Sequence, residues 1–108
     1  MTPNRQKNYC CGGGGGQLSM TRYAKRRLAA GRIKADQNRQ TAAEVVVAPC
    51  HNCIDQLSEL NREYKLGTQV RTVIEAVADA LVLPAKDGRG FRRGSVDAAY
   101  LIDVLMTL

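Results

Sequence analysis

The chain has no tryptophan, one phenylalanine and one histidine. Without large aromatics, a core must be assembled mainly from Val, Leu, Ile and Ala. Also lacking is any apolar run near the roughly 20 residues that span a bilayer, so no transmembrane segment is expected. The opening residues, Met1 to Lys7, are polar and lack the apolar stretch of a secretory leader. A cytoplasmic, reducing setting is the expectation. Clustered thiols there signal metal or redox chemistry rather than a disulfide framework. Acid is scarce at the front of the chain. Residues 1–40 hold nine basic residues against Asp36 alone, whereas residues 41–83 hold three basic and six acidic ones. The net charge of +6 is therefore a property of the first third. At 108 residues, 44% hydrophobic and 24% charged, the composition is globular and allows one small domain. A core of that size is modest and favours a metal, a disulfide or a partner as a staple.

The clearest strand is Val45-Val46-Val47-Ala48, β-branched and unalternated, as suits a strand buried on both faces. Pro49 ends it. A helix follows Cys50, with Ile54, Leu57, Leu60 and Tyr64 on its apolar face and Gly67 as its stop. Gln69 to Arg71 reads as a weak second strand. Thr72 and Glu75 fit a capping box that opens a helix. Val73, Ile74, Val77, Ala78 and Leu81 should face inward, and Pro84 should close the segment. Upstream, Ser19 is the expected N-cap of a helix carrying Met20, Tyr23, Ala24 and Leu28 on one face, with Gly31 interrupting it. Downstream, Lys86 to Gly94 reads as a Gly/Arg loop and Ser95 as the cap of a last helix. Strand, helix, strand and helix in this order predict an α/β fold built on a small parallel βαβ unit with flanking helices. The expected division is 1–83 for the domain and 84–108 for the loop and final helix.

All four cysteines fall into two pairs. Cys10 and Cys11 are adjacent and run into five glycines, Gly12 to Gly16. Cys50 and Cys53 form a C-x-x-C where the buried strand meets its helix. Strand C-terminal ends are where open α/β sheets gather their sites. A helix N-terminus favours the thiolate, the nucleophilic and metal-binding form. Bare glycine backbone beside the first pair suits close approach to a sulfur-rich anion. Four readings compete on spacing alone: an iron–sulfur cluster, a structural zinc site, thioredoxin-like redox chemistry at Cys50 and Cys53, and incidental thiols.

The segments NYCCGGGGG and VVVAPCHNC, with 38 residues between Cys11 and Cys50, resemble the second half of the cysteine-rich CCG domain. That domain occurs in the B and D subunits of heterodisulfide reductases and in related iron–sulfur subunits, and the five-glycine form is most similar to the D-type branch. The similarity runs over about residues 4 to 83. By position, Cys10, Cys11, Cys50 and Cys53 match the second to fifth family cysteines. The first has no counterpart, so the resemblance implies a C-terminal part of a larger protein. It implies an iron–sulfur electron-transfer role within an oxidoreductase. Cys10, Cys11, Cys50 and Cys53 would ligate a [4Fe–4S] cluster of the non-cubane type, with Gly12 and Gly13 against it. Expected partners are other iron–sulfur or membrane quinone-linked subunits and a disulfide substrate. The location could then extend to the inner face of a membrane complex. The alternative is a non-catalytic zinc or iron–sulfur module, or an inactive fragment.

Other residues read more simply. His51 is either a ligand or proton donor beside the cysteines or, on the simpler reading, a residue that shapes the C-x-x-C turn and faces solvent, and Asn52 caps the helix. Arg22, Lys25, Arg26, Arg27, Arg32 and Lys34 read as a solvated helix face or a docking surface for an acidic redox partner. Nucleic acid is not expected, because no nucleic-acid motif accompanies that charge. Asp55, Glu59 and Glu63 recur at four-residue spacing as the exposed face of their helix. Gly88, Arg89 and Gly90 with Arg92 and Arg93 read as loop.

Overall fold

The structure, a computed structural model, describes residues 1–84, 91–93 and 102–104. Three helices and five short strands make a small α/β unit: α1 (Ala24–Thr41), β1 (Val45–Ala48), α2 (His51–Tyr64), β2 (Gln69–Thr72), α3 (Val73–Ala80), β3 (Val82–Pro84), β4 (Phe91–Arg93) and β5 (Ile102–Val104). β1 lies between β2 and β5, parallel to both. The β1–α2–β2 connection is the βαβ unit that the sequence predicts. β3 and β4 pair antiparallel, Val82 opposite Arg93 and Pro84 opposite Phe91.

All four residues of β1 are buried, as an unalternated central strand requires. The core joins Val46 and Ala48 to Ala35 of α1 and to Leu57 and Leu60 of α2. Cys11 and Cys53 belong to the same cluster. The capping box at α3 forms in full: Thr72 Oγ1 accepts from the Glu75 N–H, and the Glu75 carboxylate accepts from the Thr72 N–H.

Several local expectations are corrected. The first helix is not capped by Ser19. Gly15–Ser19 and Thr21–Tyr23 are 3-10 turns separated by extended Met20, and α1 begins only at Ala24. Nor does Gly31 interrupt α1, which runs through it. α2 stops at Tyr64, with left-handed Lys65 following, two residues ahead of Gly67. On α3 the outward side carries Ile74, Val77 and, just beyond, Leu81, at 80%, 53% and 48% exposure. An ion pair between Arg71 of β2 and Asp79 turns the other side, Val73, Ala76 and Asp79, toward the sheet. Within the expected Gly/Arg loop, Phe91–Arg93 is strand; the rest of Lys86–Gly94 lies outside the described residues. The helix expected after Ser95 is strand at Ile102–Val104, where an Ile-Asp-Val run finds the second edge of β1. Its other residues lie outside the described ones.

α1 differs most from its sequence reading. Its buried residues are Arg27, Gly31, Lys34, Ala35, Gln37 and Asn38, a largely polar face, while Ile33 stands exposed. Each polar member has its own partner. Arg27 donates to the side chains of Gln56 and Glu59 on α2, and Gln56 donates back to the Arg27 carbonyl at 3.2 Å. Asn38 donates to Thr68 Oγ1 at 3.1 Å, and Gln37 to the Pro3 carbonyl at 3.3 Å. Arg27 and Lys34 are therefore not part of a solvated basic face, and Glu59 is half-buried against Arg27 rather than simply exposed.

Candidate functional site

The two cysteine pairs, far apart in sequence, meet at the C-terminal end of β1. Pro49 follows the strand, extended Cys50 occupies the cap position of α2, and Cys53 sits in its first turn. The Cys10–Gly16 loop lies against that turn and against α1. Each pair contributes one buried and one exposed sulfur: Cys11 and Cys53 are buried, Cys10 and Cys50 exposed. Cys11 Sγ and Cys53 Sγ are 3.5 Å apart, and none of the four cysteines is in a disulfide.

Two glycines explain how the loop comes so close. Gly12 has φ +84°, and a Cβ there would lie 2.7 Å from the Gly31 amide nitrogen and 2.9 Å from its Cα. Gly31 is the reciprocal cutout: its Cβ would lie 2.7 Å from the Cys11 carbonyl oxygen, 2.8 Å from Leu60 Cδ2 and 2.9 Å from Gln56 Nε2. At Gly13 a Cβ would meet Gln56 Cβ at 3.3 Å and Cys11 Sγ at 3.5 Å. By contrast, Gly15 and Gly16 have nothing within 4 Å. Gly31 is a site-forming residue that sequence reading missed. A lone glycine in a helical stretch reads as a break, and only its partner shows that it marks a contact.

The electrostatics separate the sulfurs. Burial pushes the Cys11 thiol up to about 12, opposed by a hydrogen bond from the Gly13 N–H. Its own thiol also donates to Cys53, which favours the protonated form. Cys50 lies below the ordinary thiol value, because the backbone N–H and the thiol of Cys53 donate to it, with the Asn52 N–H adding to them. The Gly12 N–H donates to Cys10 Sγ at 3.4 Å. Sulfur thus receives backbone N–H groups from the glycine loop on one side and from the α2 N-terminus on the other. Lys34 of α1 is fully buried and donates to Asn8 Oδ1 at 2.7 Å.

His51 faces solvent beside the site, 87% exposed and 3.5 Å from Asp55 Oδ2, in line with a turn-shaping residue. Asn52 is exposed and its side chain does not cap α2, since Cys50 holds the cap position with no side-chain bond. Among the described residues, no three of His, Cys, Asp and Glu stand close enough to hold one metal ion between them. The contact geometry is therefore a buried sulfur pair flanked by two outward sulfurs. As a donor set, four thiols, three of them receiving backbone N–H groups, suit an iron–sulfur group. Thiolate ligation and N–H···S bonds are what such a group uses.

An α/β unit with paired thiols at the C-terminal end of its central strand defines the class: a cysteine-rich domain laid out for metal or redox chemistry. A family model described as CCG, cysteine-rich domain, matches residues 1–58, more than half of the chain. The chain belongs to this CCG cysteine-rich domain family. The matched span includes all four cysteines and ends inside α2. No curated protein and no solved structure matches the chain.

Proposed function

We propose that this chain is an iron–sulfur-binding electron-transfer module of the heterodisulfide-reductase-like class, its cluster held by Cys10, Cys11, Cys50 and Cys53. The observation that carries the reading is the meeting of Cys11 and Cys53 sulfurs at 3.5 Å beneath a loop whose glycine N–H groups point at sulfur. When bound, such a group supplies one-electron chemistry. The chain's own residues do the rest. Gly12 and Gly31 remove the side chains that would hold the loop away from α1. Gly13 leaves sulfur room beside α2. Leu57, Leu60, Val46 and Ala48 wall the inner sulfurs from water. The family resemblance favours a [4Fe–4S] cluster of the non-cubane type, Gly12 and Gly13 beside it, electron exchange with other iron–sulfur or quinone-linked subunits, and a disulfide as substrate. Among the described residues no helix is long and apolar enough to cross a membrane.

Anaerobic isolation of the chain, reconstitution with iron and sulfide, and assay for both elements test the reading. Iron and acid-labile sulfide should co-purify with it. Replacing Cys50 with Ser should strip most of both. Stoichiometric zinc without labile sulfide would instead make the domain a structural zinc module.

A further inference from the structure

Gln56 is fully buried in α2, at a place where an apolar side chain would satisfy packing alone. A buried amide is costly unless its oxygen and its NH2 find partners. Both partners of Gln56 belong to one residue. Its Oε1 accepts from the Arg27 guanidinium, and its Nε2 donates to the Arg27 carbonyl at 3.2 Å. A guanidinium only donates and a carbonyl only accepts, so Arg27 fixes which way the amide faces.

That amide lies at the floor of the glycine loop. A Cβ on Gly31 would sit 2.9 Å from Gln56 Nε2 and 2.7 Å from the Cys11 carbonyl oxygen, so amide and loop meet over the same glycine. A Cβ on Gly13 would sit 3.3 Å from Gln56 Cβ. Gln56 follows Cys53 at i+3, on the same side of α2. One side chain thus grips α1 through Arg27, borders the loop at Gly13 and shares a helix face with Cys53. The sulfurs of Cys11 and Cys53, 3.5 Å apart, belong to that loop and that face. A second bond between the helices supplies the contrast. Tyr64 Oη donates at 3.0 Å to the carbonyl of Leu28, the residue after Arg27. Tyr64 is not among the nearest neighbours of any glycine of the loop.

We propose that Gln56 is a positioning residue: its amide, clamped on Arg27, seats the Cys11–Gly13 loop and so sets the Cys11 sulfur against Cys53. With an iron–sulfur group bound, which is the reading above, Gln56 holds the two buried ligand sulfurs in place. Residues that orient ligands in this way tune the group without touching it.

Two variants of the whole chain test this. Gln56→Met keeps the length of the side chain and loses both bonds; Tyr64→Phe loses only the bond to Leu28. The first measurement needs no metal. Under anaerobic, reducing conditions at one neutral pH, iodoacetamide labelling of buried Cys11 is followed by peptide mass mapping, with exposed Cys50 as internal reference. A seated loop shields Cys11, and weaker seating lengthens the time it stands open. Cys11 should label about tenfold faster in Gln56→Met than in wild type, and within about twofold of wild type in Tyr64→Phe. The second measurement is the electron paramagnetic resonance spectrum of the reconstituted, reduced chain. Gln56→Met should alter the signal, and Tyr64→Phe should match wild type. Cys11 labelling that is unchanged in Gln56→Met, or raised equally by both variants as general helix docking would require, overturns the proposal. So does an unaltered signal in a loaded Gln56→Met chain. Should Gln56→Met not fold, Gln56→Glu decides it: this variant keeps the guanidinium bond, loses the donor to the carbonyl, and should label Cys11 at least about threefold faster than Tyr64→Phe. If the wild-type chain takes up no iron and sulfide, the functional reading fails by itself, and Cys11 labelling alone decides the role of Gln56.

Discussion

At the scale of single residues, the site depends on atoms that are missing. Alanine in place of glycine normally strengthens a helix interior by about 1 kcal/mol. Gly31 lies inside α1, so propensity alone favours Gly31→Ala. The contacts oppose it, since a Cβ would fall under 3 Å from the Cys11 carbonyl, Leu60 and Gln56. Backbone cannot swing aside as a flexible side chain can. Overpacking of this kind costs about 1–3 kcal/mol, enough to overcome the propensity gain. We expect Gly31→Ala to lower the urea midpoint and to reduce iron incorporation. Gly16→Ala, with nothing within 4 Å, should change neither appreciably. A midpoint for Gly31→Ala at or above wild type would mean that the loop does not bear on α1. The glycine run is legible in the sequence as a close approach, but what it approaches is not. The partner sits in a helix of different composition, and no local pattern links Gly12 to Gly31.

At the scale of elements, the seam between α1 and α2 carries a buried polar cluster beside its Ala35, Leu57 and Leu60 contact. Arg27 is 2% exposed and held by Gln56 and by Glu59 at 2.9 Å, the latter with 30% of its side chain exposed. Removing one partner of a buried pair strands the other charge, whereas the intact pair adds little over an apolar replacement. Glu59→Gln should therefore destabilise the chain by about 1–3 kcal/mol in urea unfolding, less than for a fully buried pair because water reaches Glu59. Arg27→Met in the same chain should recover part of that loss, a coupling that a double-mutant cycle measures. Strictly additive losses would show that the pair does not join the helices. This seam also marks how far elements can be read from sequence. β1, α2, β2 and the Thr72–Glu75 box are legible because each rests on neighbouring residues: a β-branched run, a 3.6-residue apolar period, a short strand, a cap. The inner face of α1 is not, because apolar periodicity is blind to a stripe of Arg27, Lys34, Gln37 and Asn38 whose partners lie on the N-terminal segment, α2 and the loop before β2. The side that α3 turns inward fails for the same reason, set by Asp79 reaching Arg71 rather than by Ile74 and Val77. β4 and β5 are three-residue strands too short to show a period; β5 takes its register from β1, more than fifty residues upstream, and β4 from β3 across the residues between them.

At the scale of the whole molecule, the sulfurs tie stability, pH and metal binding together. The buried Cys11 thiol is held up to about 12 against an ordinary 9.0. In the folded, metal-free chain it keeps its proton where the unfolded chain has lost it. The resulting stability is full below about pH 9, the unfolded value, and is lost as pH rises through 9 toward 12. Lys34 works in the opposite sense. Its folded value lies below 10.5, so stability withheld at lower pH returns as pH rises toward that value. The net alkaline slope of the chain is therefore a small difference, and only a comparison isolates Cys11. Cys11→Ala should cost stability at neutral pH through the lost packing of a buried side chain. Above pH 9 the gap between wild type and variant should narrow, approaching about 1.4 kcal/mol per pH unit. Urea midpoints at pH 7.5, 9 and 10 under anaerobic, reducing conditions measure it. A gap constant across that range would mean that Cys11 ionises as freely in the folded chain as in the unfolded one. The same proton sets the pH dependence of loading. A metal that binds Cys11 takes the thiolate and must displace a proton held more firmly than in free cysteine, so uptake should release protons and tighten as pH rises. In the loaded chain that proton is already gone, and the narrowing of the gap above pH 9 should disappear.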